Sequence, residues 1–495
     1  MNQLKNKIFC GGNLEVVTPW PSNFISAILT DPPYGLGFMG KDWDTFKQEN
    51  VNLPKTTKLT YKTDYINGVP VRRKNPEMVT RDSGARRAGS YDLSRNPEFQ
   101  QWFTVWAKAM LRITKPGGFL LCFGGTRTYH RLACAIEDAG WEIRDCMMWL
   151  YGSGFPKSHN ISKAIDKAAG AKRKVLEERH KGLHSGGSSY QYSQMKNETG
   201  NCPITAPATE LAKLWDGYGT ALKPAWEPII VAMKPLDGTF AHNAEKHGVA
   251  GLNIDAARIG TETRKNPEAG FIRRGRTDEE VFGSVDKNKP NNPPHEVQGR
   301  WPANLVLDEE AGAMLDEQTG TKKSGFMAAD TKRKMSDNPN KNTYGKFNPD
   351  TVRNDTYGDS GGVSRFFYQA KVSCKERNIG MVDQKNNHPT LKPLTLMKYL
   401  CSLLKMPPAD QIILDPFLGS GTTGMACKEL GINFIGIEKE REYCEISVKR
   451  IAAVPGQEIT LHVETPPPVT KTVETDEQKQ KMINVASAAL RRNQK

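Results

Sequence analysis

Two short strings in this chain have residue types and spacing that can do chemistry, and they stand nearly four hundred residues apart. Asp31-Pro32-Pro33-Tyr34 joins a carboxylate, two residues whose rings fix φ, and an aromatic side chain. The Asp31 carboxylate and the Pro32 main-chain carbonyl are acceptors that could hold an amino group, and the Tyr34 ring could lie against a flat partner. Asp415-Pro416-Phe417-Leu418-Gly419-Ser420-Gly421-Thr422-Thr423-Gly424 is a strand-to-helix turn of the kind that cradles a nucleotide-like ligand. Gly419 and Gly421 let the backbone approach a bound molecule, and Thr422 and Thr423 open a helix whose first amides are free to face it.

Both strings need a strand to deliver them. Phe24 to Thr30 is a short apolar run between Pro21 and Pro32, which predicts a buried parallel strand ending at Asp31. Gln411 to Asp415 predicts a second strand, Thr422 to Leu430 a helix, Asn433 to Glu438 a third strand and Arg441 to Ile451 a helix. Asn96-Pro97 starts a helix on which Trp102, Val105, Trp106, Ala109 and Ile113 share a core face, and Lys115-Pro116-Gly117-Gly118 stops it. Strands over 118–123 and 141–151, a helix over 127–139 and an apolar helix over 394–404 complete an α/β pattern with a mostly parallel sheet covered on both faces.

The regular alternation fades between Gly152 and Asn387. That stretch predicts an insertion, with ordered islands at Glu227–Met233 (a strand) and Arg300–Leu307 (a docked extended piece) and loops over 260–300 and 318–362. Residues 41–95 are polar and basic and predict a long, partly mobile loop, for which DNA contact and plain solvation are both open. Residues 456–495, with three prolines at 466–468, form an appendage with no assigned role. The organisation is therefore 1–155, an insertion over 156–386, 387–455 and a tail.

The chain has 495 residues and a formal net charge of +14, so a polyanion such as nucleic acid is a natural partner. Mean hydropathy is −0.59, and with no apolar run of about 18 residues no membrane span is predicted. Nine cysteines lie scattered with no Cys-x-x-Cys pair, which argues against zinc and a disulfide framework and for reduced thiols in a cytoplasmic protein.

Taken alone, Gly419-x-Gly421-x-x-Gly424 followed by a strand-ending Glu438 also fits a dinucleotide site, so an NAD-dependent oxidoreductase is a rival reading. The longer string Asp-Pro-Phe-x-Gly-Ser-Gly-Thr-Thr is narrower. Together with Asp-Pro-Pro-Tyr it resembles the amino-methylating DNA methyltransferases, and the order resembles their circularly permuted beta class, in which the catalytic half comes first. His388-Pro389-Thr390-Leu391-Lys392-Pro393 is similar to that family's His-Pro-Thr-x-Lys-Pro element. Cys10 to Val17 resembles its Gly-Asp-x-Leu-Glu segment, with Asn13 where an aspartate is usual. Tyr151–Lys157, Gly219–Pro228 and Ser364–Ala370 look like segments of phage- and prophage-type modification methylases.

The resemblance implies a Rossmann-like fold, S-adenosylmethionine as cofactor and double-stranded DNA as partner. Asp415, Phe417, Gly419, Ser420, Gly421, Thr422 and Thr423 would line the cofactor, and Glu438 would take its ribose hydroxyls. Thr390 and Lys392 would face its methionine end, where the lysine can pair with a carboxylate. Asp31, Pro32, Pro33 and Tyr34 would grip the exocyclic amino group of a base flipped out of the duplex. The nitrogen lone pair is delocalised into the ring, and acceptors on its hydrogens favour a more nucleophilic, tetrahedral nitrogen. Family usage ties Asp-Pro-Pro-Tyr more often to adenine-N6, with cytosine-N4 as the alternative. Related enzymes that methylate RNA or protein glutamine are a further rival, against which the long basic insertion argues. The insertion would hold the target-recognition region.

Overall fold

The computed structural model describes residues 4–35, 60–66, 69–75, 96–154, 158–177, 204–266, 295–324, 359–370, 376–381, 385–388, 390–456 and 462–464. Ten strands form one sheet: β1 (Lys7–Cys10), β2 (Ile25–Thr30), β3 (Thr114–Phe123), β4 (Glu142–Leu150), β5 (Trp226–Met233), β6 (Leu305–Asp308), β7 (Tyr368–Ala370), β8 (Ile412–Asp415), β9 (Asn433–Glu438) and β10 (His462–Glu464). Their spatial order is β7-β6-β4-β5-β3-β2-β8-β9-β1-β10. Every neighbouring pair is parallel except the two made by β5, which runs antiparallel to both β3 and β4.

The helices are α1 (Asn13–Val17), α2 (Asn96–Ile113), α3 (Tyr129–Asp138), α4 (Ile161–Ala168), α5 (Glu210–Leu214), α6 (Phe240–His247), α7 (Glu309–Thr319), α8 (Leu394–Leu404), α9 (Thr422–Leu430) and α10 (Arg441–Ala453). Alternate strand residues feed two cores, as the pleat requires. Ile25, Ile28, Ile412, Leu414, Ile435 and Ile437 pack with α1, α2 and α3 on one face. Ala27, Leu29, Ile413 and Phe434 pack with α8, α9 and α10 on the other. All six residues of β2 are buried, which explains why its sequence reads as an unbroken apolar run.

The two halves of the chain meet at β2 and β8, where Ala27 pairs with Ile413 and Ile28 with Leu414. From β2 the chain runs through α2 to its neighbour β3, and from β8 through α9 to its neighbour β9 on the other side. The helices α2 and α9 lie on opposite faces, so the sheet reverses direction between β2 and β8. In open α/β sheets the crevice at such a reversal, beyond the carboxyl ends of the strands, receives ligands. Asp31 follows β2 and Pro416 follows β8, so the fold puts both chemical strings at one crevice.

Several sequence readings need correction. Residues 156–386, read as an insertion with ordered islands, contribute β5, β6 and β7 to the main sheet. The strand over 142–150 is separated from β3 by the antiparallel β5. The region 260–300 has antiparallel flanks, Ile259–Asn266 with His295–Arg300, and residues 267–294 lie outside the described residues. Within the basic 41–95 stretch, Thr60–Ile66 pairs with Val69–Asn75 as antiparallel strands. The rest of that stretch lies outside the described residues. In the tail, β10 extends the sheet beside β1.

Candidate active site and cofactor cleft

A cleft of about 1680 Å³ opens over the reversal point, and both chemical strings line it, Asp31 to Tyr34 on one side and Asp415 to Ser420 with Thr422 and Thr423 on the other. That exceeds the roughly 300–1,000 Å³ common for a single small ligand, and it leaves room for a cofactor and a second molecule together. Tyr34 and Ser420 share this one cleft, although 386 positions separate them.

The catalytic end is a four-residue polar cluster. Lys392 Nζ donates to Asp31 Oδ2 at 2.6 Å and lies 3.2 Å from Glu227 Oε2. The Tyr34 hydroxyl is 2.9 Å from Asp31 Oδ1 and 2.9 Å from Glu227 Oε2, and it accepts from Lys392 at 3.2 Å. Burial disfavours the Lys392 cation, but Asp31 and Glu227 outweigh that and raise its pKa above the usual value, so the ammonium is held charged. Burial, with Asp31 and Glu227 adding to it, raises the Tyr34 pKa well above the usual phenol value and keeps the hydroxyl protonated. The Tyr34 carbonyl accepts from Thr128 Oγ1 at 2.7 Å, which pins the tetrapeptide to the start of α3. Gly125 sits against the Tyr34 ring, where a Cβ would come within 3.0 Å of it.

The cofactor end is built around Asp415. Its Oδ1 accepts from Thr30 Oγ1 at 2.8 Å and from the Phe417 amide at 3.1 Å, and its Oδ2 accepts from Thr423 Oγ1 at 2.5 Å. Asp415 thus ties β2, β8 and α9 together. Burial pushes its pKa up to about 6 against the pull of the Thr423, Thr30 and Phe417 donors. Glu438, at the end of β9, accepts from the Gly419 amide at 2.8 Å and the Glu440 amide at 2.9 Å. Burial pushes Glu438 up to about 7.

The glycines have a packing reason. Gly419 and Gly421 have φ of +54° and +87°. A Cβ on Gly421 would lie 2.8 Å from Ser447 Cβ on α10, and one on Gly424 would lie 2.5 Å from Ile451 Cδ1. Gly421 therefore serves the docking of the loop on α10 and is not among the residues lining the cleft. Thr422 and Thr423 line the cleft, while their hydroxyls are engaged within the protein by Arg450 and Asp415. Phe417 packs against Trp106 and Trp102, at 5.7 and 6.1 Å between ring centroids, and lines the cleft. Trp106 is core as its spacing predicts, whereas Trp102 and the 57% exposed Val105 face the cleft.

Lys392 lines the same cleft. Its ammonium is engaged by Asp31 and Glu227 at the catalytic end, while Thr390 is exposed on the cleft wall. Sequence reasoning missed two residues. Glu227 stands in the Gly219–Pro228 segment and needed only a role. Arg450 is fully buried, its Nη1 donating to the Ser420 carbonyl at 2.6 Å, to Ser420 Oγ at 3.0 Å and to Thr422 Oγ1 at 3.3 Å. Nothing in the sequence marks Arg450, because a basic residue on an amphipathic helix reads as solvated surface.

The cleft suits an adenosine-bearing cofactor. Glu438 offers a carboxylate for paired hydroxyls, Phe417 and Trp102 offer aromatic flanks, and Asn13, whose Nδ2 lies 3.4 Å from the Pro416 carbonyl, offers an amide at the same wall.

Comparison with known proteins follows the same lines. The model of the family described as DNA methylase, of the N6/N4 type, matches residues 25–449. The type II methyltransferase M.HindIII of Haemophilus influenzae is 23% identical over 434 residues, covering 87% of this chain and 90% of that protein. M.HinfI of Haemophilus influenzae is 41% identical over 97 residues, 19% of this chain and 26% of that protein. Among solved structures, the cytosine-N4-specific PvuII DNA methyltransferase aligns over 97% of this chain and 92% of its own, with 12% identity and a TM-score of 0.37. The M1.HpyAVI–SAM complex aligns over 90% and 98%, with 14% identity and a TM-score of 0.30. The family match runs from the strand before Asp31 to the helix behind the cofactor loop, and on that span this chain belongs to the N6/N4 DNA methylases, which methylate base amino groups with S-adenosylmethionine.

Proposed function

We propose that this DNA methyltransferase acts on adenine-N6 within double-stranded DNA, with Asp31, Pro32 and Tyr34 as the groups that hold the target. The observation that carries the placement of the chemistry is the cluster in which Asp31 and Tyr34 meet Lys392 on the wall shared with the Asp415–Thr423 loop. Support for adenine is the Asp-Pro-Pro-Tyr form of the tetrapeptide, which family usage associates with that base. The net charge of +14 supports a duplex partner through counterion release. Among the described residues no helix is long and apolar enough to cross a membrane, and we place the enzyme in the cytoplasm, where DNA is accessible.

The bound cofactor supplies a sulfonium-activated methyl group. The protein's share is positioning and electrostatics, with no covalent enzyme intermediate. Asp31 and the Pro32 carbonyl accept the two amino hydrogens of the flipped base and draw its nitrogen toward tetrahedral geometry. Tyr34 lies against the base plane. Lys392 stays protonated and so does not serve as a base; it holds Asp31 in place. Glu438 accepts the ribose hydroxyls, and Asp415 fixes the loop that brings the two ends together.

Sequencing of DNA modified by the purified protein tests the base assignment. N6-methyladenine at a recurring site is the expected product; N4-methylcytosine would overturn the adenine assignment while leaving the family intact.

A further inference from the structure

Glu227 is an acid of the catalytic cluster that the transfer chemistry leaves without a task. It comes from β5, the antiparallel strand, and reaches the carboxyl end of β2 from the opposite chain direction. Its Oε2 stands 2.9 Å from the Tyr34 hydroxyl, and Asp31 Oδ1 stands 2.9 Å from the same hydroxyl. A phenol carries one proton, so Tyr34 can donate to one carboxylate at a time, while Lys392 fills its acceptor side at 3.2 Å. When Tyr34 donates to Asp31, both oxygens of that carboxylate are engaged, Oδ1 by Tyr34 and Oδ2 by Lys392. Each donor occupies lone-pair space and draws off negative charge that the amine would otherwise meet. When Tyr34 donates to Glu227, Asp31 Oδ1 is released from that donor on a residue that lines the cleft, and only a hydroxyl hydrogen has turned.

We propose that Glu227 is a positioning residue that takes the Tyr34 hydrogen bond away from Asp31 and so frees Asp31 Oδ1 for the target amine. No proton changes owner in this switch. The inference rests on the methyltransferase reading above.

A double-mutant cycle tests it, with methyl transfer to the sequenced target site and S-adenosylhomocysteine binding as readouts. Glu227→Ala is expected to lower kcat by about 10–100-fold, with S-adenosylhomocysteine affinity within twofold of wild type. Glu227→Gln, which keeps an acceptor oxygen for Tyr34, should recover most of that loss. In a Tyr34→Phe background there is no hydroxyl to divert, so Glu227→Ala should cost less than about threefold. Equal losses from Glu227→Ala in both backgrounds, or an unchanged kcat in the single variant, would overturn the proposal. If the alanine variant melts before assay, Glu227→Leu in the two backgrounds carries the same comparison, because leucine fills similar space and offers Tyr34 no acceptor. Failure of the methyltransferase reading would show separately, as absence of transfer by the wild-type protein.

Discussion

The decisive residues at the smallest scale are acids whose surroundings set how they ionise. Burial holds Glu438 up to about 7, so near neutrality much of it is protonated, and on the proposed reading the ionised form, whose oxygens only accept, is the one that binds the ribose hydroxyls. S-adenosylhomocysteine affinity should therefore rise about tenfold between pH 6 and pH 8. Calorimetry across that range checks this, and Glu438→Gln should remove the dependence along with most of the affinity. The ligand-free protein should respond in the opposite sense. A carboxyl that binds its proton more tightly when folded than at its ordinary value of 4.5 adds stability at low pH, and that contribution declines as pH rises through about 7. Asp31, Tyr34, Gly419 and Glu438 were legible in the sequence because their residue types sit at or just after the ends of predicted strands. Glu227 and Arg450 were not. Each acts through a contact with residues far along the chain, Glu227 with Tyr34 and Arg450 with Ser420, and no local pattern encodes such a contact.

Among the elements, β2 and β8 matter most, since their pairing converts sequence distance into adjacency. The Thr30–Asp415 hydrogen bond is buried and lies across that seam. Thr30→Val keeps the shape and removes the hydroxyl, and it should cost about 1–3 kcal/mol of unfolding free energy. A change below about 0.5 kcal/mol in denaturant titration would show that the bond does not hold the seam. The strands flanking both motifs were predicted nearly to the residue, because strands buried on both faces write continuous apolar runs. The sheet's membership was harder to read. β6 and β7 are only four and three residues long, and the strand at 226–233 was foreseen but not its antiparallel place between β3 and β4. Short strands and their order depend on tertiary pairing that local sequence does not record.

At the scale of the whole molecule, the chain folds two distant segments onto one crevice, and it carries a net charge of +14. With four to six phosphates neutralised, duplex affinity should fall about 10²–10³-fold between 50 and 200 mM salt. Fluorescence anisotropy with a labelled duplex measures the slope, and a salt-independent affinity would remove charge as the source of binding.

The separation of labour between the two ends is tested most directly by Asp31→Ala, assayed for methyl transfer and for S-adenosylhomocysteine binding in the same preparation. Transfer should drop by at least about 10²–10³-fold while cofactor affinity stays close to wild type. Undiminished transfer in that variant, or loss of cofactor binding along with activity, would contradict a cleft in which one end grips the amine and the other holds the methyl donor.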